Sequence, residues 1–323
     1  MNFEKNKLVV IGSGMVGSAV LNTALSLGLL SEIVVVDKNM DRARGEALDS
    51  SHTTSFAYSP NVQVRAGSYE DCANAQIIVV TAGPSVKPGE LQKERTALAK
   101  VNTQVIAEVM ESVGRYTQEA IVILVTNPLD IVVYQAQNRF GYPPDRIIGT
   151  GTLLDTARFR RILAKRYDVD TKNVHGYVLG EHGTSAFIGW SLVNVAGIPL
   201  GGLDAAFAAK EPLDREATLR EVIQAGYDIV QLKGYTSAGI AMSVCRIIKA
   251  IILNEESVLP VSTTLHGEYG MDNVALSIPC VITNEGVSRR LVLPLAGDEI
   301  VKLRASAEKL AFLLDELHLR DRN

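Results

Sequence analysis

Short apolar runs alternate with helical stripes through the first half of this chain. Lys7–Gly12 (KLVVIG) has the continuous apolar character of a strand buried on both faces. An Ala/Leu-rich helical pattern follows over Ser18–Leu27, then a second apolar run, Ile33–Val36. Val62–Ala66, Ala75–Val80, Ala120–Val125 and Arg146–Gly149 repeat the strand signal. Helical patterns lie between them, including Arg95–Val113 with Leu98, Val101, Val105 and Val109 on one stripe. Strands alternating with helices predict an α/β fold with a doubly wound parallel sheet.

After about residue 150 the pattern changes. Leu153–Arg166 reads as a helix with a basic flank, and Val174–Leu179 as a strand running into Gly180-Glu181-His182-Gly183. Two long helices are predicted over Arg215–Lys233 and Thr236–Asn254, separated near Gly234. Ser257–Leu265, Val274–Ile282 and Leu291–Leu293 carry strand signals between turns. The last pattern is an amphipathic helix with Ile300, Leu303, Ala307, Leu310, Leu314 and Leu317 at helical spacing. The expectation is two domains, 1–149 as the doubly wound unit and 150–323 as a mixed, antiparallel-rich unit. Part of the 236–254 helix is expected to pack back on the first.

The junction of the first strand and helix adds chemistry. GSGMVG places glycines at Gly12, Gly14 and Gly17, and the second strand ends at Asp37, 20 residues past Gly17. Strand, glycine turn, helix, strand, acid is the Rossmann arrangement: pyrophosphate approaches the helix N-terminus and the acid accepts ribose hydroxyls. A carboxylate at Asp37 repels a 2′-phosphate, so the cofactor is read as NAD rather than NADP. In such sheets ligands sit at the carboxyl ends of the strands. That edge gathers Gly12–Gly14, Asp37, Thr81–Gly83 and Asn127.

Composition narrows the classes. With 323 residues, 47% hydrophobic content and a formal net charge of −4, the chain has ample core. It has no electrostatic reason to bind nucleic acid or an anionic membrane. No apolar run approaches the ~20 residues of a membrane span, and MNFEKNK lacks a signal-peptide core. A cytoplasmic protein is expected. Cys72, Cys245 and Cys280 are widely spaced and read as reduced core residues, with no metal site.

His182 lies in a glycine-bounded turn that leaves room for a small substrate, and imidazole exchanges a proton near neutrality. Taken alone it reads sooner as a surface-loop histidine. Asp155 and Arg158 sit three apart on a predicted helix and share a face. A carboxylate there can orient an imidazole, and a guanidinium can grip a substrate carboxylate. An ordinary helix-surface ion pair has the same spacing. The polar segment from Pro84 to Glu94 follows the strand edge and suits a lid. Arg95 stands at its far end.

The stretches GSGMVG, VVVDKNM, TAGP…KPGE, VTNPLD, GTGTLLDTARFR, VHGYVLGEHG and KGYTSAGIAM resemble the L-lactate and malate dehydrogenase superfamily over nearly the whole length. The last four look more like the lactate branch. The resemblance implies hydride transfer between NADH and a 2-keto acid. His182 would exchange the proton, paired with Asp155, and Arg95 would stabilise the developing alkoxide. Arg158 would bind the substrate carboxylate, while Asn127 and Thr236 would contact substrate. Gly12, Gly14, Met15, Val16, Asp37, Arg42, Gly83, Asn102, Val125 and Ile240 would line the cofactor site. The family is usually tetrameric or dimeric, so a homo-oligomer is expected.

The lid departs from that family. The position before Lys-Pro-Gly, usually Gln in lactate and Arg in malate enzymes, is Val86. Counting from Glu90 puts Gln92 where the catalytic arginine usually stands, whereas counting back from Asn102 favours Arg95 and three extra lid residues. Pyruvate is the expected substrate, and bulkier keto acids of the L-2-hydroxyisocaproate type are the alternative. Malate dehydrogenase ranks behind both. Arg160 and His175 match positions that bind fructose 1,6-bisphosphate in allosteric bacterial relatives; a solvated arginine and a strand histidine are the other reading. An NAD-dependent glycosidase would need a metal-binding Cys/His cluster that the sequence does not display. A non-catalytic NAD-binding module would not need His182, Asp155, Arg158 and Asn127 together.

Overall fold

The computed structural model describes residues 6–56, 61–84 and 95–320, apart from the side chains of residues 95–97. Six parallel strands form two thirds of its main sheet: β1 (Lys7–Ile11), β2 (Glu32–Val36), β3 (Gln63–Ala66), β4 (Ile77–Val80), β5 (Ile121–Leu124) and β6 (Ile147–Gly149). Their spatial order is β3-β2-β1-β4-β5-β6, the doubly wound Rossmann order. β1, β4 and β5 are buried throughout, which is why they read as unbroken apolar runs. The connecting helices are α1 (Met15–Ser26), α2 (Met40–His52), α3 (Arg95–Gly114) and α4 (Leu129–Arg139).

The second half contains α5 (Leu153–Tyr167), β7 (Val174–His175), β8 (Val178–Leu179), β9 (Phe187–Ile188), β10 (Asn194–Val195), β11 (Ile198–Pro199) and α6 (Leu200–Ala206). It continues with α7 (Arg215–Lys233), α8 (Ala238–Ile252), β12 (Ser257–His266), β13 (Asp272–Thr283), β14 (Gly286–Arg290) and α9 (Gly297–Glu316). The three long strands do not form a sheet of their own. They extend the first one to nine strands, with β12 antiparallel to β6 at Ser262↔Gly149. Absent side chains make this contact close: a Cβ on Gly149 would lie 2.9 Å from the Ser262 Cβ, and one on Gly151 would lie 2.6 Å from the Ser262 N. The main core runs through both halves of this sheet, and α8 packs against α1. A second core, built on Phe159, Leu163, Val178, Ile188, Leu203 and Val222, lies under α5.

Three sequence expectations are corrected. Val101 is 45% exposed, and α3 instead buries Asn102, Thr103, Ile106, Val109, Met110 and Val113. Two polar residues hold core positions because backbone carbonyls take up their donors: the Asn102 amide donates to the Pro84 and Asn127 carbonyls, and the Thr103 hydroxyl donates to the Lys100 carbonyl. The strand over 174–179 is two short strands, broken where Gly176 takes φ +146°. The last strand is Gly286–Arg290, not Leu291–Leu293: Arg290 pairs with Asp145 and Thr263, which anchors this edge. All three cysteines are buried free thiols, pushed up to about 12 by desolvation.

Candidate active site

The carboxyl ends of β1, β2, β4 and β5 present the first cluster. Gly12 turns the chain out of β1 at φ +99°, a conformation L side chains rarely adopt. Its carbonyl accepts the Thr81 hydroxyl at 2.8 Å, tying the turn to the end of β4. Gly17 holds α1 against this turn, since a Cβ there would lie 1.9 Å from the Gly12 O. A Cβ on Gly14 would meet nothing within 4 Å. The first turn of α1 contains no acid, and its N-cap, Gly14, supplies no side-chain hydrogen bond. That helix end therefore keeps its partial positive charge for an anion. Met15 is exposed and Val16 half-buried beside it.

Asp37 closes the far side. One of its oxygens accepts the Ser13 N–H at 2.7 Å and the Ser13 hydroxyl at 2.9 Å; the other accepts the Asn39 N–H at 2.9 Å. Partial burial raises its pKa, but these bonds and the nearby Arg42 outweigh burial and hold the carboxyl below its ordinary range. It stays ionised, with lone pairs to spare for hydroxyl donors. Asn102 sits beneath Gly83 with a buried Oδ1 that has no partner, 2.5 Å from where a Gly83 Cβ would lie. Val125, just past β5, donates its N–H to the carbonyl of Val80 at the end of β4. Glycine turn, free helix end, an ionised acid with spare lone pairs and an orphan amide oxygen fit a dinucleotide.

The second cluster forms where α5 meets β8. Thr152 donates to the Val178 carbonyl at 2.6 Å, and Thr156 accepts the Val178 N–H at 3.0 Å. These two threonines fix the register between the helix and the strand that delivers the next turn. As a result Asp155, on the first turn of α5, faces His182. Nδ1 of His182 lies 2.7 Å from Asp155 Oδ2, and Arg158 donates to Asp155 Oδ1 at 3.0 Å. Burial pushes the Asp155 pKa up, but His182 and Arg158 together bring it below the ordinary value. For His182, burial acts to lower the pKa; Asp155 and Asp130 outweigh it and raise the imidazole pKa. The carboxylate on Nδ1 leaves Nε2 to exchange a proton.

The pair predicted from spacing is thus a three-membered group. Arg158 is backed by α7, where a Cβ on Gly226 would sit 3.7 Å from the guanidinium nitrogens. Gly239 on α8 lies against Leu154 of α5, bringing half-buried Thr236 and Ile240 toward the same end of α5. Asn127 is exposed just past β5. Arg160 turns away from Arg158: its Nε donates to the Gly176 carbonyl at 3.2 Å and its guanidinium covers the Tyr177 ring at 5.4 Å. His175, next to Gly176, is exposed. Val86, Lys87, Glu90, Gln92 and Lys93, and the side chain of Arg95, lie outside the described residues.

Sequence reasoning missed two supports of the His182 turn. Asp130, on the first turn of α4, accepts the His182 N–H at 2.8 Å and the Ser262 hydroxyl at 2.5 Å. On the other side Glu181 is buried, and its carboxylate accepts Lys309 Nζ from α9 at 2.6 Å and the Ser185 hydroxyl at 2.6 Å. The Glu181 N–H donates to Ser306 at 2.7 Å. Apart from Ser185, four residues along the same turn, each partner lies at least 52 residues away on another element, so no local spacing pointed to it.

Two family models match the chain. One, described as lactate/malate dehydrogenase, NAD binding domain, matches residues 6–149, and the lactate/malate dehydrogenase alpha/beta C-terminal domain matches residues 152–318. L-lactate dehydrogenase 2 of Clostridium acetobutylicum is 59% identical, covering 98% of this chain and 99% of that protein. L-lactate dehydrogenase of Selenomonas ruminantium is 47% identical, covering 97% and 98%. Among solved structures, the minor L-lactate dehydrogenase from Enterococcus mundtii in the ligands-bound form superposes with a TM-score of 0.91 at 35% identity, covering 97% of this chain and 98% of that one.

Proposed function

The chain belongs to the lactate/malate dehydrogenase family and carries its NAD-binding domain, and from that premise we propose that it is an NAD-dependent L-lactate dehydrogenase that interconverts pyruvate and L-lactate. One observation carries the catalytic reading: buried Asp155 joins half-buried His182 and Arg158 in a single hydrogen-bonded group. His182 gives its Nε2 proton to the carbonyl oxygen of the keto acid, and Asp155 stabilises the imidazolium before that transfer. Arg158 pairs with the substrate carboxylate, a charge-assisted contact that orients the carbonyl toward His182. Asn127 and Thr236 complete the substrate contacts. The cofactor, when bound, supplies or takes up the hydride. Gly12, Gly14, Met15 and Val16 hold its pyrophosphate, Asp37 and Arg42 its adenosine end, and Gly83, Asn102, Val125 and Ile240 its nicotinamide end. Arg95 stabilises negative charge on the substrate oxygen. Residues 1–149 and 150–323 act as the cofactor-binding and substrate-binding units.

The relatives named L-lactate dehydrogenase favour pyruvate, and Val86 keeps bulkier 2-keto acids as the second reading. Loss of NADH absorbance with pyruvate, oxaloacetate and 2-ketoisocaproate decides between them. A kcat/KM highest for pyruvate supports the proposal. Preference for 2-ketoisocaproate replaces it with a broader L-2-hydroxyacid dehydrogenase, and oxaloacetate with a malate enzyme. No turnover at all leaves an NAD-binding module. Arg95→Gln should lower kcat at least about a hundredfold; a smaller loss removes Arg95 from the mechanism.

Among the described residues no helix is long and apolar enough to cross a membrane. We further propose a cytoplasmic homo-oligomer, a tetramer or dimer, to be read by light scattering. Arg160 and His175 remain the candidate site for fructose 1,6-bisphosphate. Arg160 must leave its Gly176 and Tyr177 contacts to serve it, so an unchanged half-saturation for pyruvate on adding the sugar phosphate removes this role.

A further inference from the structure

The His182 turn rests on a second carboxylate besides Asp155. Asp130 is buried, and its two oxygens are divided between different parts of the fold. Oδ2 accepts the His182 backbone N–H, and Oδ1 accepts the Ser262 hydroxyl from β12. The residue thus joins the first turn of α4, the proton-exchanging turn and the central antiparallel strand. Asp130 has no direct contact with Nε2, and Ser262 hydrogen bonding leaves it available as an anion.

We propose that Asp130 is a positioning residue for the family's acid–base step, fixing the backbone of His182 and adding a second negative charge that favours its imidazolium. The inference rests on His182 being the proton-exchanging group. A buried anion near an imidazole raises its pKa, and Asp130 acts in that direction together with Asp155. The charged groups around this pair come from α5 and from the turn itself, and β12 adds a neutral hydroxyl. Asp155 and Arg158 face His182 from α5, with Arg158 opposing the two carboxylates. Glu181, on the same turn, opposes ionisation of Asp130, while Ser262 from β12 and the His182 N–H favour it. Burial is the largest influence on Asp130 and moves it up to about 6, so its charge is present at neutral pH and declines in mild acid.

The sequence separations explain why this role is invisible locally. Asp130 precedes His182 by 52 residues, and Ser262 follows Asp130 by 132. The pairing of β12 with β6 at Ser262↔Gly149 brings Ser262 beside α4, where its hydroxyl reaches Asp130. Asp130 is therefore where the extension of the sheet reaches the acid–base residue.

The test is the titration of the His182 ring, followed by NMR of histidine-labelled protein and assigned with His182→Asn. Asp130→Asn keeps the shape and an acceptor but removes the charge. The expected result is a His182 pKa about one unit below wild type, with the acid-side limb of the kcat/KM profile moving by the same amount. Ser262→Ala keeps the carboxylate but removes its neutral donor; it is expected to move His182 in the same direction by less. Folding of each variant is checked by circular dichroism, and either one that folds decides the matter. A His182 titration within about 0.2 unit of wild type overturns the proposal, whatever happens to kcat. The ring titration needs no substrate. A protein inactive with every keto acid therefore refutes the lactate reading separately from the Asp130 effect.

Discussion

The glycine turn after β1 separates stability from cofactor affinity within four residues. Gly14 has φ −70° and ψ −173°, extended backbone that any residue adopts, and a Cβ there points into open space. Gly14→Ala loses a better N-cap but gains from a stiffer unfolded chain; the two effects, each about 0.5–1 kcal/mol, oppose each other. Stability should stay within about 1 kcal/mol of wild type. The added methyl instead stands where a pyrophosphate must approach the helix N-terminus. Losing one charge-assisted hydrogen bond costs about 1.5–3 kcal/mol, a roughly 10- to 150-fold weaker NADH Kd.

Gly17→Ala should do the opposite. Its Cβ would lie 1.9 Å from the Gly12 carbonyl oxygen and 2.9 Å from Thr81 Oγ1, so α1 must move off β1. Overpacking of this kind costs about 1–3 kcal/mol or more, and each kcal/mol lowers Tm by about 1.5 °C in a protein this large. Thermal melts without ligand and calorimetric titration with NADH measure both quantities. Gly14→Ala binding NADH within about threefold of wild type, or melting as low as Gly17→Ala, refutes the spatial argument.

Three further perturbations follow from the second cluster. His182→Gln should lower kcat by about 10²–10⁴ while leaving NADH affinity intact; a loss shared equally by NADH binding would move His182 out of the proton-transfer role. Asp155→Asn should flatten the dependence of stability on pH. The raised His182 pKa adds stability below its ordinary value and loses it as pH rises through the folded value, whereas the lowered Asp155 pKa adds stability above the ordinary carboxylate range and loses it on acidification. Urea unfolding across pH should lose the Asp155 limb and keep only a weakened His182 limb, since Asp130 remains, and an unchanged curve contradicts the pairing. Lys309→Met leaves the buried Glu181 carboxylate without its cation. Because Lys309 is partly exposed, the cost should be about 1–3 kcal/mol, and Glu181→Gln in the same chain should recover part of it; strict additivity of the two changes rules out a functional pair.

The nucleotide half was legible because its signals are local. Each buried strand is one short apolar run, and the turn, helix and acid follow within 37 residues. Asp155 and Arg158 were legible because three residues on a helix are neighbours, but their union with His182 depends on Thr152 and Thr156 gripping Val178. The polar core of α3 misled the stripe reading, since Asn102 and Thr103 are buried through bonds to backbone groups rather than by hydrophobicity. Asp130, Ser262 and Lys309 were hidden for a related reason: each is an ordinary polar residue until distant elements meet. The strand predicted over Leu291–Leu293 failed at an edge, where the Arg290 contacts, rather than apolar content, set which residues pair.

The two family models meet between residues 149 and 152, yet that seam crosses a continuous sheet. Gly149 stands against Ser262, Gly151 has no room for a side chain beside β12, and Gln137 accepts the Thr264 N–H from the other half. A hybrid assembled by exchanging whole halves between relatives would inherit this seam as a lock with two foreign faces. Its first requirement would be to match those backbone contacts, before any matching of cofactor or substrate. Recombination within this family should therefore succeed more often at exposed connections such as the turn between β13 and β14 than at the apparent border of its two units.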